Sequence, residues 1–429
     1  MKRVLWICNI MLPAIAKELG FPYSNREGWL SGIFEQLLCE KEEKIELGIC
    51  FPVTNLPEQL MNLKSRPFIV EGVPCYAFAE NLNTPEIYDA SLEERFREIF
   101  ADFKPDMIHV FGTEFPHALA AAKVFDKPAR TLVGIQGLCG EIAKVYMAGL
   151  PEQVQGKVTL RDFLRKDSIR QQQEKFFLRG KQEAEILKRT GNITGRTAFD
   201  REETARINPD AEYFPMNETM RKDFYTGRWN SSDCEPYSIF LSQGDYPLKG
   251  MHFALEALAL LLKEFPLAKL YVAGNSIIEH KSLKQKLKLS AYGKYLLWLI
   301  RHHGLQDKVI MTGKLTAEEM KQRFLKSSVF ICPSVLENSP NTVGEAMLLG
   351  VPVVASKTGG IPDMITDGED GLLVPVGDVE KLAKAISTLW TEGAEHYSKA
   401  AADKARTAHD GNANYKRLLE IYDTIAGRD

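Results

Sequence analysis

The sequence predicts an α/β protein built from two units, each a mostly parallel β-sheet covered by helices. Short apolar runs alternate with helical patterns along the chain, as expected for parallel strands that are buried on both faces. This alternation begins again after residue 235, just beyond a cluster of Pro, Gly and Ser residues at 215–236. The chain has 429 residues, of which 45% are hydrophobic, so it is long enough for about two or three globular domains.

Four strands and three helices are predicted in the first half. The strands are apolar runs at 4–8, 46–51, 107–111 and 131–135, and the helices lie at 30–40, 92–103 and 117–125. The first run also resembles a secretory signal peptide, because a short basic segment precedes it and an Ala-x-Ala sequence follows at 14–16. Asn9 and Pro13 interrupt the apolar stretch, which favours a buried strand over a signal peptide.

The second half repeats the same alternation. Strands are predicted at 238–242, 269–273, 309–312, 329–333, 352–355 and 371–374, and helices at 251–265, 317–327, 343–349, 362–366 and 379–390. A last helix is predicted at 415–425. In two α/β domains of this kind, we expect a ligand in a cleft at the carboxyl ends of the strands.

Composition excludes several functional classes. The 54 basic and 57 acidic residues give a net charge of −3, which argues against a general nucleic-acid binder. The seven cysteines are scattered and contain no Cys-x-x-Cys pair, so we expect neither a disulfide framework nor a zinc site, but reduced thiols in the cytoplasm. No apolar run reaches the roughly 18–20 residues of a transmembrane helix.

Two segments are locally basic. Residues 157–201 contain twelve basic and six acidic residues, and residues 281–303 contain six basic residues and no acid. The second segment also carries an apolar run at 296–300 that includes Trp298, a combination that suits an anionic membrane surface. The alternative, which the sequence favours, is a solvated helix whose lysine stems cover apolar surface.

The most informative candidate ligand-binding residues lie between residues 333 and 355. A strand ends near Cys332, a loop carries Glu337, and a helix begins after Pro340, with Glu345 expected in its first turn. The backbone amides near Thr342 and Val343 could bind a diphosphate, because the start of a helix attracts anions. A carboxylate can accept hydrogen bonds from two neighbouring hydroxyls of a ribose or hexose. Alternatively, Thr342-x-x-Glu345 is a capping box, which explains Glu345 without a ligand but leaves Glu337 unexplained.

This arrangement resembles the E-x7-E signature of retaining GT-B glycosyltransferases of the group 1 family. The sequence continues to match that family over nearly all of 238–390, at Lys249-Gly250, at 312–315, at Gly359-Gly360, and at 367–375. The resemblance implies two Rossmann-like domains facing each other across a cleft. The acceptor-binding domain is expected at 1–222, with a C-terminal helix at about 411–429 packing back on it, and the nucleotide-sugar donor-binding domain at 236–410.

The resemblance also implies roles for individual residues. Glu337 would bind the transferred sugar, Lys249 would neutralise the donor phosphates, and Glu345 would bind the ribose. The remaining donor-binding residues implied are Gly250, Gly313, Ser339, Asn341, Thr342 and Val343. The family usually has an arginine shortly before the lysine, and residues 242–245, Ser-Gln-Gly-Asp, contain none.

Four residues of the first half are candidates for the acceptor side or for catalysis. Arg196 could supply the missing positive charge, and Gly28 lies where the family has a glycine-containing loop, although an ordinary turn would also explain it. Gln136 stands where many relatives have a histidine, so it could bind a sugar but could not act as a base. His109 is a catalytic candidate, while a lone histidine within a strand is more often a core residue.

We therefore predict a metal-independent hexosyltransferase that moves a sugar from a nucleoside-diphosphate sugar to an acceptor hydroxyl with retention of configuration. The sequence predicts no cofactor, no bound metal and no nucleic-acid partner. The acceptor would be a sugar, a lipid-linked sugar or a polysaccharide of bacterial type, handled in the cytoplasm with peripheral contact to the inner face of the membrane. Alternatives are a non-catalytic nucleotide-sugar-binding relative or a GT-B epimerase or hydrolase. A Rossmann oxidoreductase is disfavoured because Cys8-Asn9-Ile10 replaces the expected glycine-rich turn.

Overall fold

The computed structural model describes residues 2–21, 28–40, 45–54, 67–280 and 282–427. The chain divides into two compact units. Unit 1 comprises residues 1–143, 175–219 and 410–429, and unit 2 comprises residues 144–174 and 220–409. Residues 144–174, which the sequence placed with the first domain, thus cluster with the second.

Unit 1 is built on an eight-stranded sheet. Its strands are β1 (Lys2–Ile7), β2 (Ile45–Val53), β3 (Phe68–Val70), β4 (Val73–Ala79), β5 (Met107–Phe111), β6 (Thr131–Gly134), β7 (Asn192–Gly195) and β8 (Glu212–Pro215). The sheet order is β3-β4-β2-β1-β5-β6-β7-β8, and only the β3–β4 pair is antiparallel among the described strands. β1 lies near the centre of the sheet, where Val4 to Ile7 are fully buried. The strand interpretation of this first apolar run is therefore confirmed.

Helices cover this sheet. They are α1 (Pro13–Glu18), α2 (Gly28–Glu40), α3 (Ser91–Phe103), α4 (Pro116–Phe125), α5 (Cys139–Val145), α8 (Ile169–Lys188), α9 (Ala198–Ile207) and α18 (Gly411–Ala426), and the boundaries between the units fall within α5 and α8. The C-terminal helix α18 buries Leu418, Ile421 and Tyr422 in the same core as Trp6 of β1. The Trp6 indole donates to the Tyr422 hydroxyl at 2.8 Å, which ties the two ends of the chain together.

Unit 2 contains a second sheet, in which every described strand pair is parallel. Its strands are β9 (Glu235–Leu241), β10 (Lys269–Ala273), β11 (Val309–Gly313), β12 (Ser327–Cys332), β13 (Val353–Ser356) and β14 (Leu372–Val374). Their order is β11-β10-β9-β12-β13-β14. The chain enters the sheet at β9 in the middle, continues to β11 at one edge, returns to β12 beside β9 and continues to β14 at the other edge. The prediction of two Rossmann-like parallel sheets is confirmed.

The helices of unit 2 include four that the sequence did not predict, three short ones and one of fourteen residues at 395–408. The full set is α6 (Glu152–Gln155), α7 (Leu160–Arg165), α10 (Met251–Leu261), α11 (Leu283–Leu287), α12 (Ala291–His302), α13 (Ala317–Leu325), α14 (Asn341–Leu349), α15 (Ile361–Met364), α16 (Val379–Thr391) and α17 (Glu395–Ala408). Within the described ranges, no helix has both the length and the apolar character needed to cross a membrane.

Candidate functional site

Lys249 and Glu337 form the centre of a polar site in unit 2. Lys249 ends a short 3-10 turn that follows β9, and Glu337 lies on the loop that follows β12, the neighbouring strand. Because neighbouring parallel strands end at the same edge of a sheet, the two side chains meet, and Lys249 Nζ donates to Glu337 Oε1 at 2.6 Å. The same carboxylate oxygen accepts from Ser334 Oγ at 2.8 Å, a contact that sequence reasoning missed.

Two glycines allow the backbone to close around this pair. Gly250 has a φ of +68°, and a Cβ there would collide with the carbonyl oxygen of Pro333. Gly359 has a φ of +50°, and a Cβ there would collide with the carbonyl oxygen of Glu337, which also accepts from the Gly360 amide at 3.0 Å. The double glycine after β13 therefore positions the Glu337 loop, and this contact explains why glycines occur there.

The ion pair is largely shielded from water. The side chains of Lys249 and Glu337 are 21% and 13% exposed. Burial by itself lowers the pKa of Lys249, but the negative charge of Glu337 and the nearby Tyr246 phenol outweigh it and raise the pKa above its usual range. Lys249 therefore holds a fixed positive charge at the carboxyl edge of the sheet.

Glu345 is buried on α14 and bound by an arginine that sequence reasoning missed. Its carboxylate Oε1 accepts from Arg221 Nε at 2.9 Å and from Nη2 at 2.7 Å. The other oxygen, Oε2, has no hydrogen-bond partner among the described residues. Burial raises the pKa of Glu345 to about 7 although the Arg221 charge opposes that shift. No signal in the sequence connects the two residues, because 124 positions separate them.

The capping-box alternative for Glu345 is wrong. Helix α14 begins at Asn341 with Pro340 as its N-cap residue, and no side chain caps it. Glu345 is thus the fifth helical residue, two residues beyond the third position from which a capping-box side chain reaches the cap, and it lies beyond the expected first turn. The Val343 amide donates to the Pro340 carbonyl at 2.9 Å, so it is already satisfied within the helix start.

The other donor-side residues lie around these elements. Ser339, Asn341 and Thr342 are half-buried where the Glu337 loop enters α14. Gly313 ends β11, and the position that a Cβ would take there is open. In the stretch that lacks the family's arginine, Gln243 Nε2 donates to Asp245 Oδ1 at 2.9 Å, so an acid occupies this position instead of a cation.

In unit 1, three of the sequence candidates line one small cavity. His109, Gln136 and Arg196, together with Glu218, surround a space of about 10 Å³, enough for roughly one water molecule. Arg196 pairs with Glu218 and donates from Nη2 to the Ile135 carbonyl at 3.2 Å, and burial lowers its pKa to about 10. These contacts occupy Arg196 within unit 1.

His109 is a fully buried residue of β5. Its Nδ1 lies 2.8 Å from the Tyr422 hydroxyl. The hydroxyl oxygen accepts from the Trp6 indole, which leaves the hydroxyl proton free to be donated to His109 Nδ1. Burial lowers the pKa of His109 to about 3, so the ring is neutral at physiological pH. This environment is that of a core histidine. Gly28 is the first residue of α2, and the loop before it, which includes Arg26 and Glu27, lies outside the described residues.

A buried polar network that the sequence did not reveal lies at the carboxyl ends of β1 and β5. His117 bridges Glu80 (Nδ1 to Oε2, 2.7 Å) and Asn9 (Nε2 to Oδ1, 3.0 Å). Asn9 Nδ2 in turn donates to Glu114 Oε2 at 3.2 Å, and Glu114 Oε1 accepts from the Gly137 amide at 3.0 Å. This network orients the loops that end the central strands of unit 1.

The described residues contain no cluster of three or more His, Cys, Asp or Glu side chains able to hold a metal ion. The unit 2 site offers a fixed ammonium group, the shielded Glu337 carboxylate, the buried Glu345 carboxylate and the start of a helix. A fixed cation and a helix start bind phosphate, and carboxylates bind sugar hydroxyls.

Comparison with known proteins identifies this part of the chain. Residues 235–392 match the family described as glycosyl transferases group 1. This region is a group 1 glycosyltransferase domain. The glycosyltransferase domain contains Lys249, Glu337 and Glu345, so the resemblance seen in the sequence is confirmed for the region in which those residues lie.

Individual relatives extend the comparison. The amylovoran biosynthesis glycosyltransferase AmsK of Erwinia amylovora is 28% identical over 186 residues, which are 42% of this chain and 42% of AmsK. Phosphatidyl-myo-inositol mannosyltransferase of Mycobacterium leprae is 30% identical over 191 residues, 44% of this chain and 46% of that protein. The chain thus spans less than half the length of either relative.

The structural comparison covers both units. The Anabaena protein HepE, solved in complex with UDP-glucose, matches with a TM-score of 0.66 and 15% identity over 99% of this chain and 100% of HepE. At this identity the likeness concerns the fold alone. The chain has the GT-B-like fold of two parallel α/β sheets that glycosyltransferase structures share.

Proposed function

We propose that the chain is a retaining hexosyltransferase that uses a nucleoside-diphosphate hexose as donor and an acceptor hydroxyl of a polysaccharide or glycolipid precursor. The observation that carries this proposal is the Lys249–Glu337 pair at the carboxyl edge of the unit 2 sheet, beside the start of α14. Bound UDP-glucose in HepE and the polysaccharide and glycolipid names of the relatives support the choice of donor and acceptor.

Lys249 would act on the leaving group. Departure of the sugar places negative charge on the nucleoside diphosphate, and a preorganised cation stabilises that charge where it develops. Lys249 would exchange its contact with Glu337 for the phosphates, whose negative charge would take over from Glu337 in keeping the ammonium group protonated. Glu337, released from this contact, would accept hydrogen bonds from the hydroxyls of the transferred sugar. This scheme assigns no step to a metal ion.

Glu345 would bind the ribose. Its free oxygen Oε2 is buried and has no partner in the described part of the chain, so a ribose hydroxyl would satisfy it. Arg221 holds the other oxygen and thereby fixes the orientation of the carboxylate. We assign Arg221 as a positioning residue for the nucleotide.

The decisive experiment compares Lys249→Met with wild type. Thermal shift with a panel of nucleotides first identifies the base, and release of nucleoside diphosphate is then followed with the matching sugar donors and with EDTA present. We expect Lys249→Met to lower kcat by about 100-fold or more, by analogy with the loss of one transition-state donor. The control is Lys384→Met, since Lys384 is an exposed lysine of α16.

Three results would contradict the proposal. Unchanged turnover of Lys249→Met would remove Lys249 from catalysis, and activity abolished by EDTA would contradict metal independence. Binding of nucleotide-sugar without any turnover would favour a non-catalytic relative. The anomeric configuration of the product, read by NMR, tests retention directly.

A further inference from the structure

Two short helices of unit 2 turn leucines toward solvent. On α7, Leu160, Phe163 and Leu164 are 56%, 72% and 70% exposed. On α11, Leu283 and Leu287 are 74% and 53% exposed. Large apolar side chains at these helical spacings normally face a core, so an apolar surface made from two neighbouring helices marks an interaction site.

The orientation of α7 is fixed by polar contacts on its buried side. Thr159 and Asp162 form a capping box, and the buried Asp162 carboxylate also accepts from the Ala291 amide at the start of α12, at 2.9 Å. The helix is therefore anchored through its aspartate, and its leucines are left on the outer side. An ordinary amphipathic helix has the opposite arrangement.

The leucines line an open groove between the two helices. Its volume is about 630 Å³, and its apolar lining consists of Leu160, Leu164, Leu283 and Leu287. This surface differs from the one that the sequence indicated. In the run at 296–300, Leu296, Leu297, Leu299 and Ile300 are buried and only Trp298 is exposed, so that run belongs to the core of unit 2.

Basic side chains surround the groove. Arg161, Arg165, Lys284 and Lys288 line it, and Lys286 is exposed beside it. The acids nearest in sequence to α7, Asp162 and Asp167, both pair with Arg161 at 3.0 Å. Among the described residues, neither the two lysines of α11 nor Lys288 just after it forms an ion pair, and residues 282–290 contain no acid. Lys281 lies outside the described residues.

We propose that this leucine-lined, basic surface docks unit 2 on a bilayer that contains anionic phospholipid. The exposed leucines would enter the headgroup and acyl boundary while the lysines contact lipid phosphates, and this pairing of apolar and basic groups distinguishes a membrane from an apolar protein partner. The proposal concerns binding alone. It stands or falls independently of the proposed sugar transfer.

Co-sedimentation with vesicles tests it with the full chain. We expect wild type to pellet with phosphatidylcholine vesicles that contain phosphatidylglycerol at low salt, and to stay in solution with pure phosphatidylcholine. Leu164→Gln/Leu283→Gln should weaken binding by about 10-fold or more. Replacing Lys284, Lys286 and Lys288 by Gln should weaken it by roughly 100-fold, since each lysine near an anionic surface contributes about 1 kcal/mol.

Matched controls distinguish binding through this surface from nonspecific vesicle binding and from misfolding. Ile87→Gln/Leu267→Gln changes two residues with comparable exposure, 61% and 66%, and should bind like wild type. Replacing the exposed Lys384, Lys399 and Lys416 by Gln should change the affinity for vesicles only slightly. Circular dichroism and the nucleotide thermal shift should be unchanged in every variant.

Two outcomes would overturn the proposal. The first is that the wild type remains in the supernatant with anionic vesicles at low salt. If, in that case, the leucine variant also turns a dimer into a monomer, the groove would be assigned to a second copy of the chain. The other is a leucine or lysine variant that is folded and binds vesicles as tightly as its matched control.

Discussion

Replacing Arg221 by Met should destabilise unit 2 in a manner that depends on pH. In wild type the guanidinium donates twice to Glu345 Oε1, at 2.7 and 2.9 Å, and the carboxyl is 3% exposed with a pKa raised to about 7. Methionine fills similar space but donates nothing. Glu345 would then have no described partner at either oxygen, and its pKa would rise further.

The size of the effect follows from proton linkage. At pH 5.5 Glu345 is protonated in folded wild type and variant alike, so only the hydrogen bonding is lost, about 1 kcal/mol. Above pH 7 the variant must keep the carboxyl protonated while the unfolded chain releases the proton, which costs up to ~1.4 kcal/mol per pH unit. At pH 8.5 the total is therefore about 3 kcal/mol, near the lower end of the ~3–5 kcal/mol measured for broken buried pairs.

Differential scanning calorimetry of the full chain at pH 5.5 and pH 8.5 would measure this difference. A domain of this size loses roughly 2–4 °C in Tm per kcal/mol, so the deficit should grow from about 3 °C to about 9 °C. Adding Glu345→Gln to Arg221→Met should remove the pH dependence, and the exposed Arg301→Met should leave Tm within about 1–2 °C at both values. Equal deficits at the two pH values would refute the assignment of the titration to Glu345.

Further predictions concern glycine geometry and the core histidine. Gly250→Ala should lower the free energy of unfolding by more than ~2 kcal/mol and remove most of the activity, because its Cβ meets the Pro333 carbonyl. Gly304→Ala, at a φ of +66° with open space around the new Cβ, should lower it only by the ~1–2 kcal/mol of left-handed strain. Thermal melts would measure both effects. His109→Asn should retain turnover within a few-fold. Because burial lowers the pKa of His109 to about 3, the wild type should lose stability as pH falls below about 6.5, and this variant should lose less. Thermal melts from pH 7 to pH 5 would show the difference. A turnover loss of 100-fold or more would assign His109 to catalysis.

Most regular elements were predictable because their signals are local. The apolar runs at 107–111 and 269–273 match β5 and β10 in both bounds, since buried parallel strands are short and continuous. β3, β7 and β8 escaped prediction because three or four residues carry too weak a pattern, and the seven-residue β4 was also not predicted. The basic composition of 157–201 likewise concealed the twenty-residue helix α8.

Glu337 and Glu345 could be selected from the sequence because they lie in a local pattern of strand, loop and helix start, and Lys249 could be selected through the resemblance to the group 1 family. Their partners could not. The Arg221–Glu345 and His109–Tyr422 contacts join residues 124 and 313 positions apart, and such pairs are created only when the sheets and helices pack. Sequence also could not distinguish the buried leucines of α12 from the exposed leucines of α7, because the side of a short helix that faces solvent depends on which neighbour covers the other side. At α7, the Asp162 contact with the start of α12 determines which side of the helix faces solvent.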